Sequence, residues 1–291
     1  MKNVVITGAS SGIGLAAAME LAQKGYAIIG IGRDQERCAL AADQIRAAAP
    51  GAQVQFLTGD LLQQREVTRV ADEISALLDQ RYEGKLCALI NNAGCVRSWY
   101  TTTEEGYEQQ FALNHLAGFL LTYRLLSHLK RAGGRVLMTG SESHKNLRIR
   151  WNDVMLSGGY NPLTAYKQSK LSNMLFAKAL NDRYLAEGLR AYVVDPGLVC
   201  TDIGNKNTGG LVDFIWKLRK KHGVSPSIPA KTYGYLIDTD PAPEELYYYL
   251  CKPNSYSRQV TRENADRLIE LSERLCGVRF PEQISKEGSD L

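Results

Sequence analysis

The sequence predicts a single-domain α/β fold, a parallel sheet with helices on both faces. Three features point to it. Short, nearly continuous apolar runs recur through the first two thirds of the chain, as strands buried on both faces require. Segments with helical spacing separate those runs, and that alternation builds a parallel sheet covered by helices. A glycine-rich loop, "TGASSGIG" (7–14), joins the first apolar run to the first helical segment.

Taken in order, "VVI" (4–6) reads as the first strand and 15–24 as the first helix, stopped at Gly25. "AIIGI" (27–31) is the second strand, followed by helical spacing over 34–49 up to Pro50. "VQFL" (54–57) is the third, with a helix expected over 63–80. "LCALI" (86–90) is the fourth, and a long helix is expected over 105–131, ended by Gly133-Gly134. "RVLMT" (135–139) is the fifth, before a helix over 165–187 that stops at Gly188; "AYVVD" (191–195) is the sixth. Gly and Pro supply most of these stops because one favours left-handed caps and the other cannot continue a helix. The stretch 203–257 breaks the alternation, and "EELYYYL" (244–250) reads most simply as a helix. No repeat or low-complexity linker divides the 291 residues.

Composition excludes several classes. A net charge of +4, from 35 basic and 31 acidic residues, is too balanced to predict a nucleic-acid partner. The six cysteines are scattered without C-x-x-C or metal-ligand spacing, so a reduced set of thiols and no metal are expected. "MKN" leads into an apolar run too short for a secretory leader, and no stretch reaches the length of a spanning helix. A soluble, cytoplasmic protein is the expectation.

Chemistry enters at the loops after the strands. In "TGASSGIG", Gly8 permits the tight turn, Gly12 lets backbone approach a diphosphate, and Gly14 allows close helix packing. Ser10, Ser11 and Ile13 lie where the helix start offers amide donors and a favourable dipole to an anion. At the end of the second strand an acid would accept from the adenosine ribose and repel a 2′-phosphate. Here Gly32 and Arg33 stand instead, so NADP(H) is expected rather than NAD(H), with Arg33 as the phosphate partner. Asp60, followed by Leu61, is placed to meet the adenine. In "NNAG" (91–94), Asn92, Ala93 and Gly94 let the chain pass close to the cofactor. Each motif has a plain reading as a turn. Tyr166 and Lys170, four apart at the start of a helix, share one face; alone, such a pair is common.

Together the motifs resemble the short-chain dehydrogenase/reductase family over about residues 3–202. "TGASSGIG", "NNAG", Asn114 in "ALNHLAGFLLT", Ser141 in "RVLMTGSESH", "YKQSK" and "DPGLVCT" occur in the family's order. The wording of "ALNHLAGFLLT", "AYKQSKLSNMLF" and "RLIELSERLCG" (268–277) is closest to its retinol dehydrogenase and protochlorophyllide reductase branch. The resemblance implies a single Rossmann-type, doubly wound domain with a parallel sheet of about seven strands, and a catalytic tetrad of Asn114, Ser141, Tyr166 and Lys170. It implies cofactor contacts from Tyr166 and Lys170, and from Pro196, Gly197, Val199 and Thr201 in "DPGLVCT". The interval from Ser141 to Tyr166 is longer than is usual in the family, and the extra residues would lie beside the substrate.

The chemistry of these groups implies carbonyl reduction or the reverse alcohol oxidation on a fairly apolar small molecule. A phenol near its ordinary pKa of about 10 holds its proton too tightly to cycle at neutral pH, and a cation one helical turn away corrects that. Reduction of a C=C bond is the alternative reaction, and a non-catalytic NADP-binding sensor or scaffold the alternative class. Cys95, Arg97, Trp99, His144 and Tyr160 are the candidate substrate contacts. Residues 203–231 are expected to form a lid, in which "LVDFIWKLRKKH" (211–222) is amphipathic and basic enough to suggest peripheral membrane contact as a second reading. A monomer and a homo-oligomer are both compatible with the resemblance.

Overall fold

The computed structural model describes residues 2–199 and 223–281. Among the described residues, eight strands form one sheet in the order β3-β2-β1-β4-β5-β6-β7-β8. They are β1 (Asn3–Thr7), β2 (Ala27–Gly32), β3 (Val54–Thr58), β4 (Ala88–Asn91), β5 (Arg135–Thr139), β6 (Arg190–Asp195), β7 (Tyr247–Tyr249) and β8 (Lys252–Pro253). The first seven are parallel, and only the β7–β8 pair is antiparallel. The parallel strands match the expected seven; β8 is an addition, a two-residue hairpin return at the edge.

Side chains alternate across the sheet and feed two cores. Val5, Ile29, Leu89, Val136 and Val193 face one side, against α3 (Gln64–Arg81), α5 (Ala117–Arg124), α7 (Pro162–Tyr184) and α9 (Arg262–Cys276). Val4, Ile6, Ile28, Leu137 and Val194 face the other, against α1 (Gly12–Gln23), α2 (Gln35–Ala48) and α8 (Ser227–Asp238). Each fully buried side chain of this kind is worth about 1.5–3 kcal/mol over leaving it in water. On the first face, Phe119, Phe176 and Phe280 pack ring to ring at 5.0–6.0 Å.

Four elements depart from the sequence reading. The fourth strand starts two residues late because the Leu86 N–H donates to the His128 carbonyl and the Cys87 N–H to Asn3 Oδ1, so neither joins the ladder there. The helix expected over 105–131 is broken into α4 (Gln109–Phe111), a π segment (Ala112–Leu116), α5 and α6 (Leu126–Ala132). Gly106, at φ 84°, forbids helix before it, and the Glu108 carboxylate caps the true start by accepting from the N–H groups of Gln110 and Phe111. "EELYYYL" is not a helix: Tyr247 and Tyr248 are buried in β7, which β6 pairs. Aromatic residues suit a pleated, packed surface, and that partner is invisible in local spacing. Finally, α8 packs on α1 in a stretch that local spacing left irregular. The expected lid lies outside the described residues except for 223–231, which enter α8.

Candidate active site

All the candidate loops meet at one edge of the sheet, beyond the carboxyl ends of the strands. The sheet order reverses between β1 and β4, and a crevice opens there, as open α/β sheets require. One half of the groove is lined by Gly8, Ser10, Ser11, Gly12, Ile13, Gly32, Arg33, Asp60, Leu61, Asn92, Ala93 and Gly94, among others. A second cavity continues it along Ile13, Asn92, Gly94, Cys95, Asn114, Gly140, Tyr166, Lys170, Pro196, Gly197 and Val199. Thr201 lies outside the described residues.

The glycine loop fits a bound dinucleotide by its geometry. Gly8 has φ 67° and Gly12 φ 56°, where side chains are strained. A Cβ at Gly14 overlaps the Gly8 carbonyl oxygen and comes within 2.6 Å of Asn92 Nδ2. Asn92 itself braces the loop, donating from Nδ2 to the Thr7 carbonyl at 3.0 Å. The residue before α1, Ser11, makes no side-chain cap, so that cap leaves the first-turn amides to the groove. We expect Gly14→Ala to cost about 1–3 kcal/mol through this overlap, read as a lowered Tm together with weakened dinucleotide binding.

At the end of β2, a Cβ on Gly32 overlaps the Cys38 sulfur and sits 3.1 Å from Ser10 Oγ. An acid therefore has no room here without displacing its neighbours. Arg33 and Arg37 both line this end of the groove. Arg37 escapes a reading by motif; the first turn of α2, capped by Asp34 through the Arg37 N–H, brings it back beside Arg33. Asp60 lines the same end, its Oδ1 accepting from the Leu62 N–H at 3.2 Å.

At the other end, α7 begins with Asn161 accepting from the Thr164 N–H and Pro162 in the first turn. That start sets Tyr166 and Lys170 on one face, with Nζ 5.5 Å from the centre of the Tyr166 ring. Lys170 is only 5 % exposed, and its ammonium donates to the Thr139 carbonyl at 2.9 Å. Burial pulls its pKa down from 10.5 to about 8. Asn114 sits in the middle of the π segment, a local widening that is often found at functional sites. Its Oδ1 accepts from the Cys95 N–H at 2.7 Å; its Nδ2 donates to the Cys95 carbonyl and to Ser169 Oγ. Ser169 Oγ in turn donates to the Tyr166 carbonyl at 2.8 Å. Ser141 follows Gly140 at the end of β5, and its Oγ accepts from the Ser143 N–H at 3.3 Å.

The substrate candidates separate. Cys95 lines both parts of the groove, with a thiol pushed up to about 12 by burial and so un-ionised at neutral pH. Arg97 lines the dinucleotide half rather than the Tyr166 cavity, and its Nε is buried without a hydrogen-bond partner. Trp99 is 62 % exposed and lines neither. Tyr160 is structural: its hydroxyl donates to the Arg97 carbonyl and accepts from Gln110 Nε2, both at 2.8 Å. His144 is fully buried and lines neither cavity. The turn Glu142–Asn146 folds its ring back beneath Ser141, so nearness in sequence misplaces it. Asp195, at the end of β6, accepts from the Gly197 N–H at 2.9 Å and from the Tyr247 hydroxyl at 2.6 Å. Tyr249 was missed altogether. Its ring lies 3.0 Å from where a Gly197 Cβ would sit, and only the β6–β7 pairing reveals it.

Among the described residues no helix is long and apolar enough to cross a membrane, and no cluster of His, Cys, Asp and Glu is arranged to hold a metal ion. The short chain dehydrogenase family model matches residues 2–210. Retinol dehydrogenase 12 of Mus musculus is 36% identical over 96% of this chain and 87% of its own length. Retinol dehydrogenase 13 of Homo sapiens is 35% identical over 96% and 86%. An uncharacterised protein from Mycobacterium paratuberculosis superposes with a TM-score of 0.74 at 31% identity, covering 97% of this chain and 95% of that one. A short-chain dehydrogenase from Sphingobium yanoikuyae, solved with NADPH, shares the fold with a TM-score of 0.66 at 21% identity, over 100% of this chain and 99% of that one. With the family's model matching most of the chain and retinol dehydrogenases aligned along nearly all of it, this protein is an oxidoreductase of the short-chain dehydrogenase family, on its retinol dehydrogenase branch.

Proposed function

We propose that this enzyme interconverts an aldehyde or ketone and its alcohol on a fairly apolar small molecule, using NADP(H), with Tyr166 as the acid/base. The observation that carries the reading is the buried Lys170 ammonium, 5.5 Å from the Tyr166 ring, in a cavity continuous with the glycine-loop groove. A cation so placed stabilises a phenolate and brings proton exchange at the Tyr166 hydroxyl towards neutral pH. When bound, the dinucleotide supplies or takes the hydride. Tyr166 gives its proton to the carbonyl oxygen in reduction and takes one from the alcohol in oxidation. Ser141 Oγ accepts from the Ser143 N–H, which leaves its own proton to donate to the substrate oxygen and to hold the charge that develops there. Asn114 fixes the Cys95 wall of the cavity through two hydrogen bonds and ties it to α7 through a third, to Ser169 Oγ.

The absence of space for an acid at Gly32, with Arg33 and Arg37 lining the adenosine end, supports NADP(H). Solved relatives of the fold carry NADPH or a modified NADP. An apolar substrate is supported by the exposed Leu198, Val224 and Tyr249 beside the Pro196–Gly197 turn, and by the retinol dehydrogenase relatives. Incubation with NADPH and a panel of apolar aldehydes, ketones and enones tests the reading: carbonyls are expected to turn over, and turnover confined to enones, or none, would overturn it. Arg33→Ala is expected to weaken NADPH binding by roughly tenfold or more, one charge-assisted phosphate contact being worth about 1.5–3 kcal/mol, while NADH binding barely changes. Equal losses for both, measured by fluorescence titration, would remove Arg33 from the phosphate site.

A further inference from the structure

His144, Tyr247 and Asp195 form a buried connection between the two loops that flank the Tyr166 cavity. The connection is specific at each link. His144 Nδ1 lies 2.6 Å from the Ser141 carbonyl, and the Ser257 N–H points at Nε2 at 3.3 Å. A carbonyl can only accept and an amide can only donate, so Nδ1 carries the proton and Nε2 does not. The His144 ring meets the Tyr247 ring edge to face at 5.0 Å. The Tyr247 hydroxyl donates to Asp195 Oδ2 at 2.6 Å, and Asp195 Oδ1 receives the Gly197 N–H at 2.9 Å. All three side chains are 5 % exposed or less. Burial lowers the His144 pKa and raises that of Tyr247, which keeps both rings neutral at physiological pH.

We propose that His144 is a positioning residue, which acts through Tyr247 and Asp195 to hold the Ser141 loop and the Pro196–Gly197 turn in fixed relation. Gly140, next to Ser141, lines the Tyr166 cavity, and so does Gly197. The ring holds the Ser141 carbonyl and makes no hydrogen bond to the Ser141 hydroxyl. The Ser257 link extends the same clamp to the segment following β8. The role rests on the oxidoreductase reading above, since it matters only if a carbonyl is held between those loops.

His144→Phe keeps the ring against Tyr247 and removes both hydrogen bonds. It is expected to lower kcat for carbonyl reduction by about tenfold, within the range that small misplacements cost, with KM for NADPH nearly unchanged. His144→Asn places an amide N–H where Nδ1 stood but removes the ring that meets Tyr247, and is expected to recover kcat only in part. Hydrogen exchange on the protein without cofactor supplies a readout that needs no turnover. Exchange at the Ser257 amide is expected to quicken in the Phe variant, whose ring cannot accept that N–H, and exchange at the Gly197 amide in the Asn variant, which lacks the ring against Tyr247. Unchanged kcat in His144→Phe, or Gly197 exchange indifferent to both substitutions, would overturn the positioning role. Failure of the wild type to reduce any carbonyl would instead overturn the function proposed above, and the exchange data would still decide whether the clamp exists.

Discussion

Tyr166→Phe is expected to lower carbonyl turnover by roughly 10³-fold, in the middle of the range for loss of a general acid. The substitution removes one oxygen and keeps the ring that faces the Lys170 ammonium at 5.5 Å. The rest of the groove is untouched, because the glycine loop, Arg33 and the "NNAG" loop stand on other strands. NADPH affinity should therefore change by no more than about fivefold, the worth of a single hydrogen bond of about 1 kcal/mol. The measurement is kcat with saturating NADPH alongside a binary dissociation constant. A variant that keeps even a tenth of its turnover would show that the proton comes from elsewhere, and the mechanism would need another donor.

Lys170→Met carries the second large effect, and it separates stability from activity. Losing the ammonium is expected to cost about 10²–10³ in kcat, as removal of a charged group from a preorganised site does. Stability should hold or rise. A buried cation is costly to desolvate, and an apolar side chain of similar length is often neutral or better in its place. The Thr139 carbonyl is not orphaned, since Asn173 Nδ2 also donates to it at 3.2 Å. The pH behaviour follows from the same burial. With a folded pKa of about 8 against 10.5 for a free lysine, the unfolded chain binds more protons between those values. This residue's contribution to stability thus rises with pH across that window. Carbonyl reduction moves the other way, declining as Lys170 loses its charge above about pH 8. In Lys170→Met that decline should shift towards the ordinary phenol value of about 10. Matched pH profiles of kcat and thermal unfolding check both signs at once; parallel profiles would deny Lys170 its electrostatic part.

Much of this was legible because the strands are buried on both faces. "VVI", "AIIGI" and "AYVVD" need no context to read as strands, and the loops that follow them occupy the crevice by topology alone. The i, i+4 spacing of Tyr166 and Lys170 likewise survives translation into structure, since a helix keeps such residues on one side. What local spacing could not show depends on distant partners. Tyr247 and Tyr248 are strand residues because β6 is beside them. The π segment at Asn114 leaves no period to count. His144 and Arg37 err in opposite directions for one reason, the path of a single turn: the turn after Ser141 takes His144 out of the cavity, and the first turn of α2 brings Arg37 into the groove.

The short return strand β8 has a consequence for how copies of this chain could meet. It covers the outer rim of β7 with two residues, and one of them, Pro253, has no N–H to offer an incoming strand. That rim is a poor template for extending the sheet into a neighbouring molecule.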